Sequence, residues 1–186
     1  MSIEKTIITI NQHKKVVTKN LVTFIKNVSK FGNISDDAKK RVIDLAYAHD
    51  TDKFDFNFLE DYTLYLDERK DLKFGTDEYY AVKNKYKHLT SQHHEKSKHH
   101  FQSYKNPNSV STIHLLEMLA DWKSASDKVE NAVELDETIE IQASKFHLCD
   151  DVVNRLKTFS QFFDEDTCKK PSRYTKDLLN LYLEEI

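Results

Sequence analysis

Four polar residues, widely separated along the chain, carry side chains of the kind that bind transition metals. They are His13, the dipeptide His49-Asp50, and Asp121. Neutral imidazole nitrogens and carboxylate oxygens are ordinary ligands for Zn²⁺, Mn²⁺, Fe and related cations. No short loop holds all four, so they can share one ion only if separate helices bring them together. The sequence therefore predicts a buried metal centre and metal-assisted chemistry.

The positions of the two histidines agree with this interpretation. His13 follows Ile10 by three residues and precedes Val17 by four, so it lies on the apolar stripe of a helix predicted over residues 7–31. A second predicted helix begins at Ser35, a residue type favoured at N-caps. Its inward face ends at His49, which places the His49-Asp50 pair where that helix ends.

Asp121 belongs to a helix predicted over residues 111–125, which is the most apolar of the chain. His114, Glu117 and Asp121 form one polar strip on it, because they are spaced by three and four residues. A buried carboxylate is costly without a partner, and a metal ion compensates it. For His114 and Glu117, the alternative is the solvent face of a half-buried helix. Within a metal site, these two would orient the ligands.

The composition favours helices throughout. Two Gly and two Pro among 186 residues leave little turn chemistry for a sheet, so we expect an all-α bundle in a single domain over residues 1–186. The metal-site core should span about 7–130, followed by C-terminal helices over about 147–186. The further predicted helices lie at 56–66, 76–104, 150–163 and 172–185, and the second of these is either continuous or broken around Thr90. Residues 131–143 give no clear signal.

A basic, histidine-rich segment covers residues 83–105. It holds six lysines against one carboxylate, and its five histidines are His88, His93, His94, His99 and His100. One interpretation is that His88 with His93 or His94 lines the catalytic cleft, as a ligand of a second metal or a contact to phosphate. The other is a solvated basic helix with incidental histidines, which we favour for His99 and His100.

The order His, His-Asp, Asp resembles the HD-domain phosphohydrolase superfamily, whose members are all-helical and bind one or two metals. The matching positions are His13, His49, Asp50 and Asp121, and HDTDK (49–53) is similar to a stretch in which a lysine holds a phosphate. Three segments, HDTDKF, HLTSQHH (88–94) and EMLADW (117–122), are similar to segments of uncharacterised HD-like proteins of phages and bacteria. This narrower resemblance favours a place in the cleft for His88, His93 and His94.

The resemblance implies a metal-dependent phosphohydrolase acting on a nucleotide or nucleotide-derived phosphate, and relatives that are often homodimers. The cofactor would be one or two ions of Mn, Fe, Zn, Co or Mg, activating water and polarising the phosphoryl oxygen. Lys53 and a cleft histidine would stabilise negative charge. Two alternatives remain: a di-iron oxygenase of the HD type, and a non-catalytic binding protein that sequesters a nucleotide or a host protein.

Several other classes of protein lack support. The sequence has no glycine-rich serine elbow, P-loop or dinucleotide fingerprint. The lysines form no recognisable nucleic-acid module. No apolar run suggests a membrane span or a signal peptide, and Cys149 and Cys168 lack metal or redox spacing. We therefore expect a cytoplasmic protein with two inert thiols.

Overall fold

The computed structural model describes residues 1–73, 75–127, 133–164 and 171–186. Within these ranges the chain forms nine α-helices and no β-strand, which confirms the predicted all-α fold. The helices are α1 (Ile3–Val28), α2 (Asp36–Ala48), α3 (Phe56–Arg69), α4 (Asp77–Lys85), α5 (Lys87–Lys96), α6 (Thr112–Ser126), α7 (Leu135–Phe146), α8 (Asp150–Ser160) and α9 (Arg173–Leu183). Short 3-10 helices cover Thr51–Phe54, Phe101–Ser103 and Pro107–Ser109.

The largest hydrophobic core lies between α1, α2 and the helices from α6 to α9. Phe24 and Val28 of α1 pack there with Leu115 and Leu119 of α6, all fully buried. The amide of Asn20 joins the same two helices, because its Nδ2 donates to the carbonyl of Ala120 at 3.0 Å. These contacts hold α1 against α6 next to the polar residues that each helix carries.

A smaller hydrophobic core lies under α3, α4 and α5. It consists of Phe58, Tyr65, Leu66, Tyr86 and Leu89. Helix α3 also packs against α1, so the two cores are adjacent. Elements of both cores supply the polar side chains described below.

The predicted start of α2 is confirmed. Ser35 is its N-cap, and the Ser35 hydroxyl accepts a hydrogen bond from the amide of Ala38 at 3.0 Å. Asp36 and Asp37 occupy the first turn, where carboxylates interact favourably with the helix dipole. This local chemistry fixes the direction in which α2 leads to His49.

The helix predicted over 76–104 is interrupted twice, and neither break lies at Thr90, where one was considered. The chain breaks at Tyr86, which is buried in the smaller core and donates its hydroxyl hydrogen to Glu68 at 2.7 Å. It leaves helical geometry again after Lys96, because Ser97 is extended. Tertiary contacts thus override helical propensity, and residues 97–100 belong to a turn.

The segment without a clear sequence signal contains α7, whose Ile139 is fully buried in the large core. Cys149 is exposed, and Cys168 lies outside the described residues. No helix in the described ranges has the length and apolar character needed to cross a membrane.

We predict that Asn20→Ala destabilises the protein by about 1–3 kcal/mol, because it removes a buried hydrogen bond between α1 and α6. The control is Asn11→Ala, an exposed position on the same helix, which should stay within about 0.5 kcal/mol of the wild type. Urea unfolding followed by circular dichroism measures both. Equal midpoints for the two variants would contradict the role given to Asn20.

Candidate metal centre

The four residues predicted from their order meet at one point. His13 lies in the middle of α1, His49 caps the C-terminus of α2, Asp50 follows it, and Asp121 lies in α6. From Nε2 of His13, the distances are 3.3 Å to Nε2 of His49, 3.5 Å to Oδ2 of Asp50 and 3.0 Å to Oδ1 of Asp121. Helices far apart in sequence therefore present two imidazoles and two carboxylates to each other.

The hydrogen bond of His49 to Glu117 determines which His49 nitrogen is free. Nδ1 of His49 lies 2.9 Å from Oε1 of Glu117, and both side chains are buried. An ionised carboxylate only accepts hydrogen bonds, so Nδ1 carries the proton. Nε2 of His49 then directs its lone pair toward His13, as in a metal-ligating histidine oriented by a carboxylate.

Ser124 plays the same role for His13. Its hydroxyl donates to the carbonyl of Asp121 at 2.9 Å, which uses its one hydrogen. The hydroxyl oxygen of Ser124 also lies 3.1 Å from Nδ1 of His13, so Ser124 orients this ring. Nε2, the other ring nitrogen of His13, faces His49 and Asp121.

Two nitrogen lone pairs 3.3 Å apart repel each other unless a cation or a proton lies between them. Ligand atoms about 2.0–2.2 Å from one ion lie about 3–3.6 Å from each other at common coordination angles. The separations measured from His13 Nε2 are of this size, and Nε2 of His49 lies 3.9 Å from Oδ1 of Asp121. Ligand atoms of His13, His49 and Asp121 are therefore close enough together to hold one transition-metal ion. Oδ2 of Asp50 lies 3.5 and 3.6 Å from the two imidazoles.

Asp50 reaches this position through an unusual backbone conformation. Its φ is +57°, in the left-handed region, which Asp tolerates better than most residues because of its short polar side chain. The left-handed turn ends α2 and brings the carboxylate of residue 50 beside the imidazole of residue 49. Nζ of Lys53, in the following 3-10 helix, contacts Oδ2 of Asp50 at 2.7 Å.

A second group of imidazoles faces the other oxygen of Asp50. Oδ1 of Asp50 lies 3.3 Å from Nε2 of His93 and 3.5 Å from Nε2 of His99. Nε2 of His100 lies 3.0 Å from Nε2 of His93. His93 directs Nδ1 to the carboxylate of Asp52 at 2.7 Å, which leaves its Nε2 for the centre. Asp50 thus stands between two sets of imidazoles.

Two buried polar atoms within this group have no hydrogen-bond partner: Oδ1 of Asp50 and Nε2 of His99. Their 3.5 Å separation is too long for a good hydrogen bond. A buried polar atom without a partner is costly, and such atoms often mark a ligand site. The His93, His99 and His100 nitrogens are close enough together to hold a cation there.

The carboxylates of the centre are held in their charged form. Burial raises the pKa of Asp50. The contact with His99 and the charges of Lys53 and His49 together lower it by more, so the pKa lies well below its usual range. Burial raises the pKa of Asp121, but its contact with His13 and the charges of His49 and His99 together lower it by more. For Glu117, contacts with His114 and His49 have the same net effect.

The histidines of the segment differ strongly in basicity. Burial lowers the pKa of His99, but Asp50 and Glu117 on either side raise it to about 9. Burial and the neighbouring His93 lower the pKa of His94 to about 4, and burial and His99 lower the pKa of His100 as well. Of these three histidines, His99 between its two carboxylates is therefore the most basic in the metal-free protein, and a cation bound by its Nε2 would have to replace a proton there.

The remaining predicted residues are divided between the centre and the surface. His94 is half-buried, with its ring centroid 4.1 Å from that of His100. His114 lies 3.4 Å from Glu117, at the edge of the centre. The prediction that His88 lines the cleft is wrong. Its side chain is 60% exposed and contacts Asp61 at 3.6 Å, because its helical position turns it away from His93.

His99 is the residue that sequence reasoning missed. It was predicted to be solvated, yet it is 3% exposed and contacts both Asp50 and Glu117. His100 also packs in this group rather than on a solvated helix. The chain turns after Lys96, so helical spacing carries no information about residues 97–100. The buried Phe101 that follows was the one sequence signal of a return to the core.

A family of unknown function, DUF5662, matches residues 2–169, which include every residue of the centre. The chain belongs to this family. No curated protein and no solved structure matches the chain.

We predict that Asp50→Asn removes the bound ion while the fold remains, because asparagine also tolerates a left-handed backbone. Loss of a direct ligand should weaken Mn²⁺ affinity by more than the roughly 10–100-fold typical of outer contacts. Metal content after dialysis against Mn²⁺ measures this. The control is Asp61→Asn, the same substitution at an exposed aspartate. Full occupancy in the Asp50 variant would contradict the site.

We predict a smaller effect for Glu117→Gln, since Glu117 orients His49 without holding the ion. Mn²⁺ affinity should fall by about 10–100-fold, less than for Asp121→Asn. Titration with Mn²⁺ followed by calorimetry gives both values, with the exposed Glu60→Gln as the control. The reverse ranking of Glu117 and Asp121 would move the ion one helical turn along α6.

Proposed function

We propose that this member of DUF5662 is a metal-dependent phosphohydrolase. The observation that carries the proposal is the convergence of His13, His49, Asp50 and Asp121, whose ring nitrogens and carboxylate oxygens lie within 3.0–3.5 Å of Nε2 of His13. The order of these residues, which resembles that of the HD superfamily, supports the reaction class. A divalent cation bound by them would polarise a phosphoryl oxygen and acidify a water molecule.

The reaction would be hydrolysis of a phosphate ester or anhydride. The oxygen of water forms a bond to phosphorus, the bond to the leaving oxygen breaks, and a proton from the water ends on the leaving group. Negative charge grows on the phosphoryl oxygens and on the leaving oxygen during this step. The protein therefore needs positive charge beside the centre, which the ion alone does not supply in full.

Lys53 is the residue best suited to provide that charge. Burial lowers the pKa of its ammonium group. Asp50 and Tyr62 together raise that pKa by more, so the lysine stays protonated. Its Nζ is 2.7 Å from Oδ2 of Asp50 and 6.0 Å from the centre of the Tyr62 ring. A fixed ammonium at this position would neutralise a non-bridging phosphate oxygen.

The finer parts of the proposal follow the resemblance. We infer a small phosphorylated substrate, with a nucleotide as first choice, a metal drawn from Mn, Fe, Co, Zn and Mg, and a cytoplasmic protein. A homodimer is part of the same inference. His93 and His94 are proposed to line the cleft, His93 through its contacts with Asp50 and Asp52.

A second candidate function is oxygen activation by two iron ions. The observation in its favour is the second set of imidazoles on Oδ1 of Asp50, because a carboxylate between two groups of histidines suits a bridged pair of ions. Metal analysis of protein purified without oxygen separates the two functions. Two irons per chain, together with O₂ consumption in the presence of an organic substrate, would favour oxygenation.

The deciding experiment is a screen of nucleotides and other phosphate compounds with Mn²⁺, Co²⁺ or Mg²⁺. Multiple-turnover phosphate release by the wild type, and none by Asp50→Asn, supports the phosphohydrolase. Stoichiometric binding of a nucleotide or a protein without turnover would instead support a sequestering protein. The Asp50→Asn preparation also controls for a contaminating phosphatase.

We predict that Lys53→Ala lowers kcat by roughly 10²–10³, the usual cost of losing one charge-stabilising contact in the transition state. Metal content should not fall, because an ammonium cannot be a ligand and repels the cation. Steady-state kinetics and metal analysis on the same preparation check both parts. Lys40→Ala, an exposed change on α2, is the control. Turnover near that of the wild type would remove Lys53 from the reaction.

A further inference from the structure

A small cavity opens directly onto the metal centre. It has a volume of about 220 Å³, and its walls include Asp121 and His99 of the centre, together with His100 and Trp122. Pockets for drug-sized ligands are about 300–1,000 Å³, so this inner cavity is too small for a whole nucleotide. A single phosphate group is a better match to its size.

A second cavity of about 340 Å³ is adjacent to the first. The two share His94, Gln102 and Lys145, and we call these shared wall residues the junction. The other walls of the second cavity come mainly from α4 and α5 and include Lys83 and Lys87. The two cavities together are called the cleft, with the inner part beside the metal centre.

The outer part of the cleft is positively charged. Lys83, Lys87 and Lys145 are exposed, and within the described ranges none of them has a carboxylate partner. In contrast, Lys85 is neutralised by Glu68 at 2.7 Å, so it does not contribute to this charge. Glu95 is the one acidic residue in the walls of the outer cavity.

We propose that this cleft binds a chain of two or more phosphate groups, with the terminal phosphate in the inner cavity. The inference rests on the proposed function and narrows its substrate class to oligophosphates, such as nucleoside diphosphates and triphosphates. Lys145 lies at the junction, where the second phosphate would lie, and Lys83 and Lys87 would contact the phosphates beyond it.

Charge and size both favour a phosphate chain over a single phosphate. One phosphate in the inner cavity could pair with Lys145, but it would leave Lys83 and Lys87 of the outer cavity without an anion. Lysine binds phosphate as a point charge and does not require a fixed geometry, which suits a flexible chain. Ser91 and Asn84 in the outer walls add uncharged donors for non-bridging oxygens.

The test compares tripolyphosphate with orthophosphate by calorimetry. Both are titrated into the full-length, metal-free protein, so that neither can chelate a metal in solution. We expect tighter binding of tripolyphosphate by the wild type. In the triple variant Lys83→Gln, Lys87→Gln, Lys145→Gln, that affinity should fall by about tenfold or more, since three charge-assisted contacts are lost.

The matched control removes three other exposed lysines that line neither cavity. It is the triple variant Lys15→Gln, Lys19→Gln, Lys40→Gln, with the same change in net charge. It should bind tripolyphosphate as the wild type does. Circular dichroism and Mn²⁺ stoichiometry should be unchanged in both triple variants, which shows that the fold and the metal centre remain intact.

Three results would overturn the inference. The first is wild-type affinity for tripolyphosphate no greater than that for orthophosphate. The second is an equal loss in both triple variants, which would indicate general surface charge. The third is tighter binding of a single-stranded oligonucleotide through the same lysines, which would make nucleic acid the ligand. If the protein bound tripolyphosphate but no Mn²⁺, the proposed function would be refuted. The inference that the cleft binds a phosphate chain would still be supported.

Discussion

The structure depends on the mutual compensation of buried charges. Asp50 and Glu117 are buried and Asp121 is half-buried, and an isolated carboxylate in such surroundings is unfavourable. Imidazoles on several elements offset that cost, His13 and His49 among them. Remove one member and another is left charged without a partner, which is more costly than never having buried the pair. The helices around the centre are therefore held to one arrangement by electrostatics as well as by packing.

Hydrophobic packing fixes the positions of the helices that carry these polar side chains. Helix α1 lies against α6 through apolar contacts and the bond from Asn20 to the Ala120 carbonyl, one residue from Asp121. Ser124, one turn further along α6, orients His13 through the same pairing of helices. Side chains fixed by neighbours on rigid helices keep a site preorganised, which is what metal binding and phosphoryl chemistry both require.

The parts of the site that could be predicted from the sequence lie on regular helices. His13 follows the apolar stripe of α1, and His49 continues the stripe of α2, so helical spacing was enough to place them. Asp121 required the added argument that a carboxylate in an apolar helix needs a partner. For these residues, local periodicity and burial carried the same information as the structure.

The other parts depend on contacts that periodicity does not contain. His99 lies beyond the end of α5, where the chain turns, and its burial follows from contacts with Asp50 and Glu117. The break at Tyr86 follows from packing in the smaller core and from the bond to Glu68. The prediction for His88 was wrong for the opposite reason, because His88 lies on a regular helix but on its exposed face. Long-range partners, rather than residue type, separate these histidines.

The wide spacing of the ligands along the chain has a consequence for assembly. His13 comes from the first helix and Asp121 from the sixth, so no partial chain that lacks either helix contains the complete centre. An ion that binds only this complete centre stabilises the native state over every partly folded one, by an amount that grows with the ratio of ion concentration to dissociation constant. With the proposed ion bound in this way, the fraction of the protein that is fully folded would depend on how much metal is available.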